Sequence, residues 1–187
     1  MQVNRCGWSE GDALYEAYHD EEWGVPVKDD GILFEFLVLE TFQAGLSWIT
    51  ILRKRENFRS AFDQFDYRKI AGYQQPKIDA LLQDTGIVRN KLKVNATVSN
   101  AKAFMTVQEE FGSFSDYLWA FVDHTPIKNA WTNYKDAPAT TPLSDTISKD
   151  LKKRGFKFVG STVIYAFLQA VGVVNDHEVG CFRYDQV

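Results

Sequence analysis

Glu40 is the residue with the most chemistry for its surroundings. In ILFEFLVLE, Leu33, Phe36 and Leu37 stand at the i, i+3, i+4 spacing of one helix face, and Glu40 takes the next place on it, i+7. Almost every neighbour from Ile32 to Leu39 is apolar, so this helix is expected to be enclosed on most sides. A desolvated carboxyl needs a proton, a cation or hydrogen-bond donors to offset its burial. Its ordinary form is a structural ion pair with a nearby Lys or Arg, and its functional form is a site for a cationic or amine-bearing ligand. Gly45 breaks the pattern five residues later. Ser47 is placed to cap a second helix from Trp48, leaving Leu46 on the turn and an indole just beyond it.

A second constellation uses both cysteines and two of the three histidines. Cys6 and His19 lie near the start of the chain, while His177 and Cys181 form an H-x3-C pair on one face of a helical turn. Two thiolates and two imidazoles make a complete tetrahedral set for Zn2+, with no position left for water, so its role would be structural. Closing so long a loop restricts the unfolded chain strongly in principle. The alternative is two unrelated buried thiols, since a disulfide does not suit a reducing cytosol. His124, before Thr-Pro, stays outside the set.

The elements that must carry these groups read as helices throughout. A short one precedes Gly24-Val25-Pro26, with Tyr15, Tyr18 and His19 on one face beside Trp8 and Trp23. The helix from Trp48 is expected to run to residue 65, with Arg53, Lys54 and Arg55 on a solvated face. A brief helix follows Asp66, and another opens at Pro76. Thr85-Gly86 ends that helix, and a long one runs over 90–107, its start bearing Arg89, Lys91 and Lys93. Helix, tight glycine turn, helix with a basic start is the helix-hairpin-helix pattern, whose free amides and dipole suit a phosphate. Residues 126–143 lack periodicity and are expected to be an irregular surface connection. Ser144 is expected to cap a helix ending at Gly155, a last apolar helix covers 162–171, and no strand pattern stands out.

With 187 residues, 45% hydrophobic and 25% charged, the chain suits one domain or two small lobes. It has no apolar run of membrane-spanning length and no secretory segment at its start, so a soluble cytoplasmic protein is expected. A net charge of −4 gives no domain-wide basic footprint, and any DNA contact must come from a local surface.

Taken together, RCGW, YHDEEWGVP, LE-x-x-QAGLSWITIL-x-KRENFR, DTGIVRNKLK, LKKRGFKFVGST and VNDHEVGC resemble the 3-methyladenine DNA glycosylase I family, bacterial repair enzymes of the helix-hairpin-helix superfamily. The likeness spans essentially the whole chain. It implies an all-α fold with a hairpin-containing lobe over about 45–125 and a terminal lobe of 1–44 plus 126–187, stapled by zinc on Cys6, His19, His177 and Cys181. It further implies a monofunctional enzyme that flips 3-methyladenine out of double-stranded alkylated DNA and hydrolyses its N-glycosidic bond. Glu40 would be the catalytic residue, a buried carboxylate accepting from the exocyclic amine of the base, with Tyr18, Trp48, Trp23 and Trp8 around that base. Gly45 and Leu46 would probe the gap in the stack, and Gly86, Arg89 and Lys91 would meet the backbone. Action as a monomer, with no membrane partner, is expected. No water-steering role falls to Asp116 or Asp123. The rival readings are a non-catalytic DNA-holding module, which leaves Glu40 unexplained, and a lyase using Lys91 or Lys93 as a Schiff-base amine. A catalytic metal fits a closed four-ligand set least well.

Overall fold

The computed structural model describes residues 3–187. Its nine α-helices among these residues are α1 (Ala13–Glu21), α2 (Asp30–Gln43), α3 (Trp48–Ala61), α4 (Tyr67–Ala71), α5 (Gln75–Leu81), α6 (Lys91–Phe111), α7 (Phe114–Ala120), α8 (Pro142–Lys153) and α9 (Ser161–Ala170). The expected all-helical architecture needs one correction. Two short strands, β1 (Ile127–Lys128) in the connection expected to be irregular and β2 (Val174–Asn175) in the tail after the last helix, pair in parallel. Runs of two residues show no period, so only the tertiary pairing reveals them.

α2 is the axis of the molecule. Every residue from Leu33 to Phe42 except Glu35 is buried, and the helix packs against α3, α6, α7 and α9. Asp29 caps its start by accepting from the Ile32 amide. An apolar helix surrounded in this way fixes any side chain it carries to within the play of a close-packed core.

α3 stops at Ala61, short of residue 65. Asp63, Gln64 and Phe65 adopt left-handed backbone angles (φ 51, 58 and 56°), and the Tyr73 hydroxyl donates to the Asp63 carboxylate. The turn keeps Phe62 and Phe65 in the core, their rings stacked at 6.2 Å. Apolar periodicity continued through the break and hid it.

Arg55, expected on a solvated face, is buried. Its guanidinium donates to Glu35 and Glu22 at 2.8 Å each and lies 5.1 Å from the Phe36 ring centre, tying α3 to α1 and α2. Thr141, not Ser144, caps α8. Ser144 answers from the third helical position in a reciprocal capping box.

The connection over 126–143 is irregular but held. Asp176 accepts from Asn129 Nδ2 at 2.7 Å and Trp131 Nε1 at 2.8 Å, and also from Tyr165 and Gln169 of α9. The chain ends meet where the Phe182 amide donates to the Asn4 carbonyl at 2.9 Å.

Candidate active site and metal centre

A cavity of about 230 Å³ opens beside the last turn of α2, lined by Trp8, Tyr15, Tyr18, Trp23, Glu40, Gln43, Trp48, Tyr134, Ala137, Ala166, Gln169 and Asp176. All five residues expected to form a base pocket are among them. Tyr18 and Trp48 face one another at 5.4 Å between ring centres, tilted by 45°. Trp8 meets Trp23 edge-on at 4.9 Å and Tyr15 at 5.0 Å. The walls are therefore aromatic on several sides, suited to a flat ligand of nucleobase dimensions.

Glu40 lies in this wall at only 4% exposure, with no hydrogen-bond partner among the described residues. Burial alone raises its carboxyl to about 8. The structural ion pair weighed for this residue is absent. Of the three means of offsetting its burial, the free site favours the proton, with the neutral acid preferred at pH 7. Tyr18 stands beside it, pushed well above the usual phenol range by burial and then by the Glu40 charge. The Trp48 Nε1 atom is buried without an acceptor among the described residues.

The turn after α2 is built as the sequence suggests. Gly45 has φ +82°, and Leu46 beyond it is 39% exposed. Gln43 lines the cavity and its Nε2 donates to the Leu46 carbonyl at 2.8 Å, joining pocket and turn. Ser47 sits at the cap of α3, but its hydroxyl pairs with Thr50 Oγ1 instead of a backbone amide.

The turn bearing Gly86 joins α5 to α6. Arg89 and Lys91 are exposed at its tip, and Asn90 caps α6 by accepting from the Lys93 amide. The Gly86 amide is engaged by Asp84 Oδ1 at 2.8 Å, so Gly86 serves the turn more than it offers a free donor. Lys93, grouped with the basic residues at this end, points inward. Its Nζ donates to the Phe42 carbonyl at 3.1 Å and the Ala44 carbonyl at 2.8 Å, leaving the residue 7% exposed.

Cys6, His19, His177 and Cys181 come together as one buried cluster, their ligand atoms all within 4.8 Å of one another. Metal–sulfur and metal–nitrogen bonds of about 2.3 and 2.0 Å set tetrahedral donors about 3.5 Å apart. The Cys6 Sγ–His177 Nδ1 and Cys181 Sγ–His19 Nε2 separations are each 3.5 Å, and Cys181 Sγ–His177 Nδ1 is 3.7 Å. The outer nitrogens are engaged as metal-bound imidazoles require. His19 Nδ1 donates to Asp20, itself clamped by Arg5, and His177 Nε2 donates to the Trp23 carbonyl. The amides of Glu178 and Arg183 point at the two sulfurs. Cys181 is held far toward the thiolate by the Cys6 thiol, then by both imidazoles and the Arg183 amide. Gly24 admits the His177 ring, since a Cβ there would lie 2.9 Å from its Nε2. The donor set and its spacing fit a tetrahedral ion.

The remaining cavity residues escaped the sequence. Tyr15 carried a signal, being three residues from Tyr18 on the same helix face, and Gln43 belongs to QAGLSW. Tyr134 and Ala137 lie in a stretch with no period. Gln169 and Asp176 reach the cavity only through the packing of α9 on α2.

A family model described as methyladenine glycosylase matches residues 8–184. DNA-3-methyladenine glycosylase 1 of Escherichia coli (strain K12) is 50% identical over 182 residues, 97% of each chain. A solved structure of 3-methyladenine DNA glycosylase I superposes with a TM-score of 0.93 at 51% identity, covering 96% of this chain and 98% of that one. Another, concerning 3-methyladenine recognition by the Staphylococcus aureus enzyme, gives a TM-score of 0.92 at 36% identity, covering 96% of both chains.

Proposed function

The chain belongs to the methyladenine glycosylase family, and from that premise we propose that it hydrolyses the N-glycosidic bond of 3-methyladenine in alkylated DNA. The observation that carries the reading is Glu40, an unpartnered acid in an aromatic cavity of nucleobase size.

The target base leaves the stack to enter the cavity, which is cheapest for a damaged base. Adenine methylated at N3 in DNA is a cation, so its glycosidic bond is already weak and the enzyme's task is chiefly discrimination. Trp48 stacks on the ring and draws on its charge, an attraction that neutral adenine lacks. The cation also brings Glu40 to its carboxylate form. Its positive charge offsets the desolvation that held the proton on, and the carboxylate accepts from the exocyclic amine. Normal adenine offers no charge, leaves Glu40 protonated and gains little.

Outside the cavity, Leu46 on the Gly45 turn is placed to fill the vacated stack. Arg89 and Lys91 at the hairpin tip suit phosphate contacts that position without reading sequence. Glu40 and Gln43 come from one proposed lobe (1–44 plus 126–187), as do Tyr134, Gln169 and Asp176, while Trp48 comes from the other (45–125), so the base would sit at their junction. Zinc on Cys6, His19, His177 and Cys181 would supply structure, holding the chain ends together. The engagement of Lys93 by two carbonyls disfavours it as a Schiff-base amine and supports a monofunctional enzyme. A monomer acting in the cytoplasm on duplex DNA completes the reading.

The test is release of free base from methylated duplex. Free 3-methyladenine without a borohydride-trapped protein–DNA adduct is expected. Tight DNA binding with no base released would return the non-catalytic module, and a trapped adduct would return the lyase.

A further inference from the structure

Lys93 has a buried ammonium that base recognition does not use. It arises two residues after Lys91 at the tip of the hairpin, yet it reaches across to the end of α2, where its two acceptors, Phe42 and Ala44, flank Gln43. Ala44 immediately precedes Gly45 and Leu46. A cation at the C-terminal carbonyls of a helix complements its dipole and supplies two of the bonds the last turn lacks. α2 has no basic residue of its own in that turn. From the other side, Gln43 holds the Leu46 carbonyl. One side chain therefore ties the helix bearing Glu40 and the start of the exposed Leu46 turn to the first turn of α6, from which it springs and where the Asn90 side chain accepts from the Lys93 amide.

We propose that Lys93 is a positioning residue that sets the Leu46 turn in register with the phosphate-gripping hairpin, so that backbone contact and stack-filling occur in one docking geometry. The inference rests on the proposed excision from duplex DNA. Phosphates held at Arg89 and Lys91 fix the start of α6 against the duplex, and the ammonium carries that placement to Ala44. Without it, base binding survives while extrusion from an intact stack suffers. The cavity itself touches no part of Lys93.

The experiment compares wild type with Lys93→Met, which keeps the stem and removes the charge. One methylated strand is assayed annealed to its complement, and again opposite a strand that leaves the lesions unpaired. Affinity for free 3-methyladenine is measured alongside. Misplacing a group that acts on the substrate by about 1 Å costs on the order of 100-fold, so Lys93→Met should lose about 30- to 100-fold in kcat on the paired substrate. It should lose only a few-fold on the unpaired one, with free-base affinity within about threefold of wild type. Lys93→Arg, which keeps the charge, should recover part of the loss. Equal losses on both substrates, or no loss on the duplex, overturn the proposal. If Lys93→Met does not fold, Lys93→Gln is read the same way, and failure of both to fold makes Lys93 a folding residue and overturns it too. A wild type that releases no base from either substrate would instead refute the proposed function itself.

Discussion

His177 donates through Nε2 to the carbonyl of Trp23 at 3.0 Å, and the two rings meet edge-on at 4.7 Å. The metal cluster and the aromatic cavity are thus back to back. Trp8 makes the matching contact on the other imidazole, 5.4 Å from His19. Whatever fixes those imidazoles also fixes two walls of the cavity.

Loss of the proposed ion should therefore act on binding through the walls. Stripping zinc with a chelator under denaturing-edge conditions, or His177→Ala, should lower Tm by about 10 °C, corresponding to a loss of about 3 kcal/mol in a chain of this size. Free-base affinity should fall with it. Metal analysis should find one zinc per chain in wild type, and a metal-free protein with unchanged Tm and affinity would refute the structural role.

Glu40 should cost stability. Its carboxyl ionises near 4.5 when unfolded and at about 8 when folded. Below about 4.5 both states hold the proton and stability is unaffected. Between 4.5 and 8 the unfolded chain has released it and the native one has not, so stability falls by up to about 1.4 kcal/mol per pH unit. Above 8 the loss levels off. Glu40→Gln should accordingly be more stable than wild type at pH 8, by denaturant titration, with the gap closing toward pH 4.5. A variant less stable at pH 8 would contradict the assignment.

Trp48→Ala should weaken free 3-methyladenine binding by about 10- to 100-fold, the usual worth of one aromatic–base stack. Equilibrium dialysis of the folded variant measures it directly. Unchanged affinity would place the base elsewhere in the cavity.

Much of this was legible in the chain because helices announce themselves by period. The α2 face through Leu33, Phe36 and Leu37 already puts Glu40 indoors, and paired Cys and His spacings mark the cluster. What stayed hidden depends on tertiary contacts that leave no periodic trace. Arg55 and Lys93 looked like solvated charges because basic side chains give no sequence sign of a buried acceptor. Asp176 gathers Asn129, Trp131, Tyr165 and Gln169 across some 47 positions, a network visible only once α9 and β2 have folded together. Burial of Glu40 could be anticipated, but which of proton, cation or donor offset it could not, since that turned on finding no donor nearby.

Recognition turns on Glu40 becoming charged against a cationic base. The most direct measurement is kcat/KM for free-base release from methylated duplex, between pH 6 and 9, for wild type and folded Glu40→Gln. Wild type should rise with pH, approaching tenfold per unit, and level off near 8, because only the carboxylate form of the free enzyme matches the cation. The variant should be flat and at least about 100-fold slower at pH 8. A folded Glu40→Gln with wild-type turnover, or a wild-type rate that falls as Glu40 ionises, would contradict the account.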